Sequence, residues 1–121
     1  MITAIKKCGD HLSIACLTNN VTPQGEIQGP AGEVLSLFDV VVESSVVGVR
    51  KPEPRFYEIA CEMLNVSPSD CVFLDDLGIN LKPARAMGMT TIKVVDPAVA
   101  IDELAEVVGF CLLYTSDAAD E

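Results

Sequence analysis

Short apolar runs that alternate with helical patterns constrain the fold of this chain more than any other feature. Residues 12–17, 39–44, 71–74 and 90–95 form such runs and are predicted strands. Apolar residues at helical spacing occupy the segments 52–65, 80–87 and 101–108. Apolar strands that alternate with helices are typical of a parallel sheet covered on both faces. The pattern therefore predicts an α/β fold with a parallel, doubly wound sheet.

The segments between these elements carry turn and helix-end signals. Residues 21–33 are rich in Gly and Pro and are predicted to be a loop, as are residues 44–50. Helix 52–65 has two prolines near its start, where a missing N–H costs little. Its predicted buried face carries Ile59, Ala60, Met63 and Leu64. Residues 1–13 are interpreted as the end of a cap or linker helix that leads into strand 12–17.

The charge balance excludes one class of partner and favours another. Eighteen acidic residues against eight basic ones give a formal net charge of −10. A nucleic-acid-binding surface needs a basic footprint, which this chain does not offer. An acidic chain favours cationic partners or a metal ion, although acids also keep a protein in solution.

The cysteine and histidine content bears on location and on metal chemistry. The five cysteines are odd in number and form no C-x-x-C motif, so they are predicted to be reduced thiols in a cytoplasmic protein. His11 is the single histidine, which excludes a histidine-based metal cage. No apolar run reaches the length that spans a bilayer, so no membrane partner is expected.

Polar residues follow three of the predicted strands and form the candidate site. Thr18 and Asn19 follow the first strand, Lys51 follows the loop after the second, and Asp75 and Asp76 follow the third. In parallel α/β sheets ligands bind beyond the carboxyl ends of the strands. A hydroxyl and an ammonium suit phosphate, and carboxylates suit Mg²⁺. The adjacent acids repel one another, so a positive charge is expected beside them.

Each of these residues also has a simpler structural explanation. A threonine after a strand is usually a turn residue, and a lysine before a proline is usually solvated. An Asp-Asp pair before a helix often caps that helix and meets its positive end. Taken singly, each structural explanation is the stronger one. Their joint order and placement at strand ends favour the functional interpretation.

Two segments resemble the haloacid dehalogenase (HAD) superfamily of hydrolases. They read "LTNN" and "VRKPEPRFYEIACEMLNVSPSDCVFLDDLGINLKPARAMGMTTIKV". The Lys-Pro-x-Pro and Asp-Asp-x-Gly-x-Asn signatures, in this order, are specific to that resemblance. Within the superfamily the chain looks most like the phosphatase-like N-terminal domain of soluble epoxide hydrolase. The resemblance implies a Rossmann-like core, a small phosphorylated substrate and Mg²⁺ as cofactor.

The resemblance also implies a role for each candidate site residue. Thr18 matches the phosphate-binding hydroxyl and Asn19 its neighbour in substrate binding. Lys51 matches the lysine that balances charge on the substrate. Asp76 matches the Mg²⁺-binding acid, with Asp75 as a secondary ligand or positioning group. The implied reaction is hydrolysis of a phosphate monoester through an aspartyl-phosphate.

The chain departs from the family pattern at its front. The family's nucleophile lies in an Asp-x-Asp-x-Thr motif on the first, central strand, and the sequence contains neither this motif nor the cap segment. The central strand would lie between the strand that carries Thr18 and the strand that carries Asp75. We therefore expect residues 1–109 to be a partial hydrolase core with a gap, a fragment that is inactive as it stands. Residues 110–121 are expected to be a non-native or disordered tail.

Two rival functions stay open beside the phosphatase. A dehalogenase of the same superfamily would displace halide from a small acid and needs no metal. A non-catalytic binding relative or a receiver-like module is a third class. Receiver domains also use paired acids, a hydroxyl and a lysine, but there the acids come first in the chain. Here the order is Thr18, Lys51, then Asp75 and Asp76.

Overall fold

The computed structural model describes residues 2–20 and 29–109 as an α/β arrangement of four strands, six α-helices and one short 3-10 helix (Pro68–Asp70). The strands are β1 (Ala15–Thr18), β2 (Val40–Glu43), β3 (Val72–Asp75) and β4 (Thr90–Lys93). The helices are α1 (Ile2–His11), α2 (Gly29–Leu35), α3 (Ser44–Val47), α4 (Pro54–Leu64), α5 (Gly78–Ala86) and α6 (Pro97–Val108). The predicted α/β class with helices between strands is confirmed.

The strands form two parallel pairs rather than one sheet. β1 pairs with β2 from Ala15 opposite Val40 to Thr18 opposite Glu43. β3 pairs with β4 from Val72 opposite Thr90 to Asp75 opposite Lys93. Within residues 2–20 and 29–109, β1 has no strand partner besides β2 and β3 has none besides β4. The described strands therefore flank a gap between β1 and β3, as the sequence predicts.

The main hydrophobic cluster packs α4 against the strands. Phe56 and Tyr57 of α4 are fully buried, together with Val42 of β2 and Ala84 of α5. Leu17 of β1 and Phe73 of β3 pack against the same cluster, so α4 spans both strand pairs. The Tyr57 and Phe73 rings meet edge to face at 5.3 Å between centroids, a favourable aromatic geometry.

A second, smaller cluster joins the first and last helices. Ala4 and Cys8 of α1 are buried against Ile101 of α6, and Ile14 packs beside them. Because strand side chains alternate between two faces, Cys16, which lies next to Leu17, points away from the α4 cluster. Helices α1 and α6 therefore supply apolar cover that the α4 cluster does not.

The structure corrects the start of the first strand. The sequence places a strand over residues 12–17, but the amide of Leu12 donates to the carbonyl of Cys8 and so extends the last turn of α1. The strand begins only at Ala15. The helix predicted to lead into this strand is confirmed as α1.

Two predicted loops contain helices. Residues 29–33 of the predicted loop 21–33 belong to α2, and residues 21–28 lie outside the described ranges. Pro30 falls in the first turn of α2, where proline is tolerated. Residues 44–47 form the single turn α3, which ends at Gly48 with φ +82°, a left-handed conformation that favours glycine.

The buried face of α4 also differs from the prediction. The helix begins at Pro54 because Glu53, which precedes a proline, is extended with φ −65° and ψ 126°. Its buried residues are Phe56, Tyr57, Ala60 and Cys61, whereas Met63 is 52% exposed. Of the predicted face, Ala60 is buried and Ile59 is partly buried against the same cluster. The observed buried face includes positions nearer the start of the helix, where the large aromatic side chains of Phe56 and Tyr57 are fully buried.

The prediction of reduced cysteines is confirmed for the described residues, and the predictions for the C-terminal residues fall outside them. Cys8, Cys16, Cys61 and Cys71 are free thiols, as predicted, and Cys111 lies outside the described ranges. The predicted tail, residues 110–121, also lies outside them. Among the described helices, none combines the length and the apolar character that crossing a membrane requires.

We predict that truncation of Phe56 to Ala lowers the free energy of unfolding by about 3–5 kcal/mol, because it leaves a cavity under α4. Met63→Ala on the same helix is the matched control, since its side chain is half exposed. It should change stability by about 0.5 kcal/mol or less. Urea denaturation measures both, and equal losses in the two variants would contradict the packing described for α4.

Candidate active site

A buried ion pair links the loop after β2 to the end of β3. The Nζ atom of Lys51 lies 2.9 Å from Oδ2 of Asp75, and the two side chains are 14% and 6% exposed. At this distance and burial the pair is a charge-assisted hydrogen bond shielded from water. The positive charge expected beside the adjacent acids is therefore supplied in part by Lys51.

Asp75 is held by further donors besides Lys51. Its Oδ1 accepts from the backbone amide of Leu77 at 3.0 Å, and the amide nitrogen of Asn80 lies 3.3 Å from Oδ2. Desolvation alone would raise the pKa of this carboxyl, but the Leu77 amide, the Lys51 ammonium and Asn80 together outweigh it and lower the pKa. Asp75 is therefore a carboxylate, and its bond to the Leu77 amide closes the turn before α5. The N-cap residue of α5 is Leu77, which makes no side-chain cap bond, so the acid pair does not cap this helix.

Asn19 fixes the backbone of Lys51. Its Oδ1 accepts from the Lys51 amide at 2.9 Å, and its Nδ2 donates to the Lys51 carbonyl at 3.1 Å. The side-chain amide of Asn19 thus satisfies both backbone groups of Lys51, its N–H and its C=O, as the backbone of a neighbouring β-strand would. The contacts therefore connect the carboxyl end of β1 through Lys51 to the carboxyl end of β3.

Thr18 and Asp76 remain available to a ligand. Thr18 is the last residue of β1, half-buried, and its hydroxyl has no hydrogen-bond partner within residues 2–20 and 29–109. Asp76 is exposed, and its carboxylate has no partner in the same ranges either. The structure thus brings Asn19, Lys51 and Asp75 into direct contact and leaves Thr18 and Asp76 free at the adjoining strand ends.

The two neighbouring acids differ because a strand alternates its side chains. Asp75 ends β3 with its side chain turned inward to Lys51, and Asp76 comes next and faces solvent. From the sequence alone, Asp75 and Asp76 are two equivalent carboxylates that repel one another. The structure separates them into a buried, paired group and an exposed, unpaired one.

Tyr57 and Asn80 support the site and were not assigned to it from sequence. The Tyr57 hydroxyl donates to the backbone carbonyl of Asn80 at 2.5 Å, while the Asn80 side chain faces Asp75. Burial, with Asp75 as a second cause, raises the pKa of Tyr57 to about 12. The Asp-Asp-x-Gly-x-Asn signature contains Asn80, so the motif offered a signal for it. No signal in the sequence relates Tyr57 to Asn80.

Arg55 and Arg85 make local contacts on the protein surface. Arg55 pairs with Glu58 and Glu62 on the surface of α4, and both carboxylates are close to half exposed or more. Arg85 donates to the Thr91 hydroxyl at 2.9 Å. Neither side chain belongs to the site.

The carboxylates suit a hard divalent cation but do not surround one. Within the described ranges no group of three or more Asp, Glu, His or Cys residues could hold a metal ion. Mg²⁺ is commonly bound by one or two carboxylates, with waters and substrate oxygens completing its octahedron. Asp76, unpaired and exposed, fits one such position, and Asp75 lies beside it with its charge already balanced by Lys51.

The family of the chain is established by sequence. A family model of haloacid dehalogenase-like hydrolases matches residues 2–88. The mouse protein called acyl-CoA dehydrogenase family member 10 is 45% identical over 102 residues, and mouse bifunctional epoxide hydrolase 2 is 41% identical over 110 residues. The chain belongs to the haloacid dehalogenase-like hydrolase family.

The matches cover most of this chain and little of its relatives. They span 84% and 88% of the chain but 9% of the mouse dehydrogenase family member and 20% of the mouse epoxide hydrolase. A phosphatase from Mycobacterium tuberculosis is 38% identical over 64% of the chain and 36% of its own length. The chain therefore corresponds to a minor part of each of these relatives.

Solved structures confirm the fold. An uncharacterised protein from Corynebacterium glutamicum superposes with a TM-score of 0.76 at 24% identity, covering 90% of this chain and 79% of that one. A HAD family enzyme from Bacteroides thetaiotaomicron, in complex with magnesium and inorganic phosphate, superposes with a TM-score of 0.59 at 22% identity. That match covers 74% of this chain and 48% of the enzyme. At these identities the likeness shows the HAD fold alone.

We predict that Asp75→Asn destabilises the fold by about 3–5 kcal/mol near neutral pH, because it leaves the Lys51 ammonium buried without its partner. The lowered pKa of Asp75 means that its carboxylate stabilises the fold above its usual value of 3.8. This contribution is lost as pH falls from that value through the lower, folded-state pKa. The stability gap between wild type and Asp75→Asn should therefore narrow in acid.

Asp76→Asn is the matched control for this experiment. Its carboxylate is exposed and unpaired in the described ranges, so the substitution should change stability by about 0.5 kcal/mol or less at any of these pH values. Chemical denaturation at a series of pH values measures all three proteins. A wild-type advantage over Asp75→Asn that stays constant from about pH 7 to about pH 3 would contradict the ion pair.

Proposed function

We propose that the chain is part of a Mg²⁺-dependent phosphatase that acts on small phosphate monoesters. The observation that carries the proposal is the different environment of the neighbouring acids Asp75 and Asp76. Asp75 is neutralised by Lys51, while Asp76 has no side-chain partner among residues 2–20 and 29–109. A free carboxylate beside a buried ammonium suits a ligand that contains both a cation and an anion, which describes a metal-bound phosphate.

Each site residue has a task in the proposed reaction. The Thr18 hydroxyl, at the end of β1 and without a partner in the part of the chain that the structure describes, donates to a phosphate oxygen. Lys51 presents its ammonium to the phosphoryl group and stabilises the charge that builds up in the transition state. Asn19 acts as a positioning residue because it holds the Lys51 backbone at both its N–H and its C=O. The predicted contact of Asn19 with the substrate stays part of the proposal.

Asp76, with Asp75 beside it, is the proposed metal-binding group. When bound, Mg²⁺ supplies Lewis-acid stabilisation of the phosphoryl oxygens. Asp75 holds the Lys51 ammonium in place, so its main contribution is electrostatic positioning. The relative described as a phosphatase supports a phosphatase function for this site.

The proposed reaction also needs a nucleophile that the sequence does not show. The only acid before Thr18 is Asp10, which is exposed on α1. The Asp-x-Asp-x-Thr motif is absent from the sequence. We therefore expect the 121 residues to hold substrate determinants without the group that forms the aspartyl-phosphate.

The first functional prediction concerns the chain as it stands. Purified 121-residue protein with Mg²⁺ should hydrolyse p-nitrophenyl phosphate no faster than buffer, because the sequence lacks the Asp-x-Asp-x-Thr motif that supplies the family's nucleophile. The assay needs a mock purification from cells without the gene to exclude a contaminating phosphatase. Turnover that co-purifies with the chain and disappears in Lys51→Ala would show that the nucleophile lies within it.

The second functional prediction concerns Asp76 in a chimaera that places a family-type first strand and cap before this chain. The chimaera should hydrolyse p-nitrophenyl phosphate in a Mg²⁺-dependent way, and Asp76→Asn should lower kcat about a hundredfold or more. Asp102→Asn is the matched control, since Asp102 is an exposed acid on α6. It should leave kcat unchanged.

Two outcomes would overturn the phosphatase assignment. Full phosphatase activity in Asp76→Asn or in excess chelator would remove the metal role. Chelator-resistant release of chloride from 2-chloropropionate, without phosphatase activity, would identify the dehalogenase alternative. A (S)-2-haloacid dehalogenase from Pseudomonas is 29% identical over 75% of the chain, so this comparison is worth making.

A further inference from the structure

Two cysteine side chains from separate elements meet where α4 packs against the start of β3. The Sγ atoms of Cys61 and Cys71 lie 4.0 Å apart, although the two residues are 10 positions apart in the chain. Cys61 lies in α4 and is 6% exposed, and Cys71 is partly buried and directly precedes β3. The candidate active site lies at the opposite, carboxyl end of β3, so this thiol pair has no part in it.

Backbone hydrogen bonds hold both cysteines in place. The Cys61 carbonyl accepts from the Val66 amide at 3.0 Å. The Cys71 amide donates to the Pro68 carbonyl, and the Cys71 carbonyl accepts from the Thr90 amide of β4, both at 3.0 Å. Bonded sulfur atoms in a disulfide lie about 2 Å apart, so the thiols need to approach by about 2 Å, which is within reach of side-chain rotation. The folded backbone therefore keeps the two thiols within bonding reach of one another.

Small molecules can reach this pair from solvent. Cys61 lines an open surface groove of about 600 Å³, together with Met87 and the exposed residues 65–67. Cys71 keeps part of its own surface accessible. The pair is thus packed against the hydrophobic cluster under α4 without being sealed from a reagent in solution.

The environment of Cys71 keeps it in the thiol form. Its Sγ donates to the Ser67 carbonyl at 3.4 Å. Burial, the neighbouring Cys61 thiol and Asp70 raise the pKa of Cys71 to about 11, so little thiolate is present at neutral pH and attack on an oxidant is slow. Once a reagent has captured one of the two thiols, however, the other is close enough to displace it.

We propose that Cys61 and Cys71 form an oxidisable dithiol, a modification site for low-molecular-weight disulfides of the glutathione class. One cysteine, as its thiolate, attacks the S–S bond of the reagent, forms a mixed disulfide and releases one thiol. The second cysteine attacks the protein sulfur of that mixed disulfide, which closes the Cys61–Cys71 bond and releases a second thiol. Two protein thiols are oxidised to one disulfide, and the reagent is reduced to two thiols that take up both protons. Excess thiol reverses the reaction.

The new bond joins α4 covalently to the start of β3. Helix α4 packs against both strand pairs through Phe56 and Tyr57, and β3 ends at Asp75. A covalent link between these elements reduces the freedom of the unfolded chain and so favours the folded state. The dithiol is therefore a reversible device that strengthens the α4–β3 contact under oxidising conditions. It does not rest on the proposed phosphatase function.

The first experiment maps disulfides in the full 121-residue chain after incubation with oxidised glutathione at about pH 8.5, where thiolates are more abundant. Protease cleavage after Glu62 separates the two cysteines, so a Cys61–Cys71 bond joins two peptides in mass spectrometry. Cys8 and Cys16 are the matched control, because they are similarly close in the chain but form no bond with each other among residues 2–20 and 29–109. The Cys61–Cys71 bond should exceed the Cys8–Cys16 bond at least about tenfold in the folded chain, and the two should be similar in urea, where only loop closure matters.

The second experiment measures what the bond does to stability. The oxidised chain should unfold about 5 °C or more above the reduced chain, and excess thiol should remove the difference. Cys61→Ala and Cys71→Ser should each abolish this shift, and Cys16→Ala should retain it. Either of the first two variants is sufficient, so the test survives if one of them fails to fold.

Three results would contradict the proposal. The first is an equal yield of the Cys61–Cys71 and Cys8–Cys16 bonds in the folded chain. The second is glutathione retained on Cys61 and Cys71 as separate adducts, or either of them bonded to another cysteine instead. The third is a midpoint of thermal unfolding that does not change when the Cys61–Cys71 bond forms.

Discussion

The ion pair between Lys51 and Asp75 is the contact on which the arrangement of the site depends. It joins a loop that follows β2 to the last residue of β3, and Asn19 anchors that loop to the end of β1. A buried ion pair is stable only when other hydrogen bonds help to replace the lost water. The Leu77 amide and Asn80 provide them here.

This ion pair gives Lys51 two roles that are not easily separated. Its ammonium points towards the strand ends where a phosphate is proposed to bind, and the same ammonium holds Asp75 in the fold. From sequence, Lys51 is a loop residue that serves a substrate. In the structure it is also a buried structural contact between the two strand pairs. Removing it would therefore affect stability as well as turnover.

Helix packing holds together two strand pairs that are not hydrogen-bonded to one another. Helix α4 contacts both strand pairs through Phe56 and Tyr57, and Tyr57 reaches on to the Asn80 carbonyl. These contacts hold the pairs together across a space where no described strand lies. The site at the carboxyl ends of β1 and β3 is thus preorganised by helices and by side-chain bonds, although backbone pairing between these strands is absent within the described ranges.

The sequence by itself determined the α/β class, the parallel strands, the family and the positions of the candidate residues at strand ends. It could do so because apolar runs, prolines and the Asp-Asp-x-Gly-x-Asn signature are local features. It misplaced the start of β1, the helices α2 and α3 and the buried face of α4, since tertiary packing overrides local preference there. Only the tertiary structure decided which of two adjacent acids is buried. Asp75 and Asp76 are identical in chemistry, and the alternation of a strand turns one towards Lys51 and the other towards solvent.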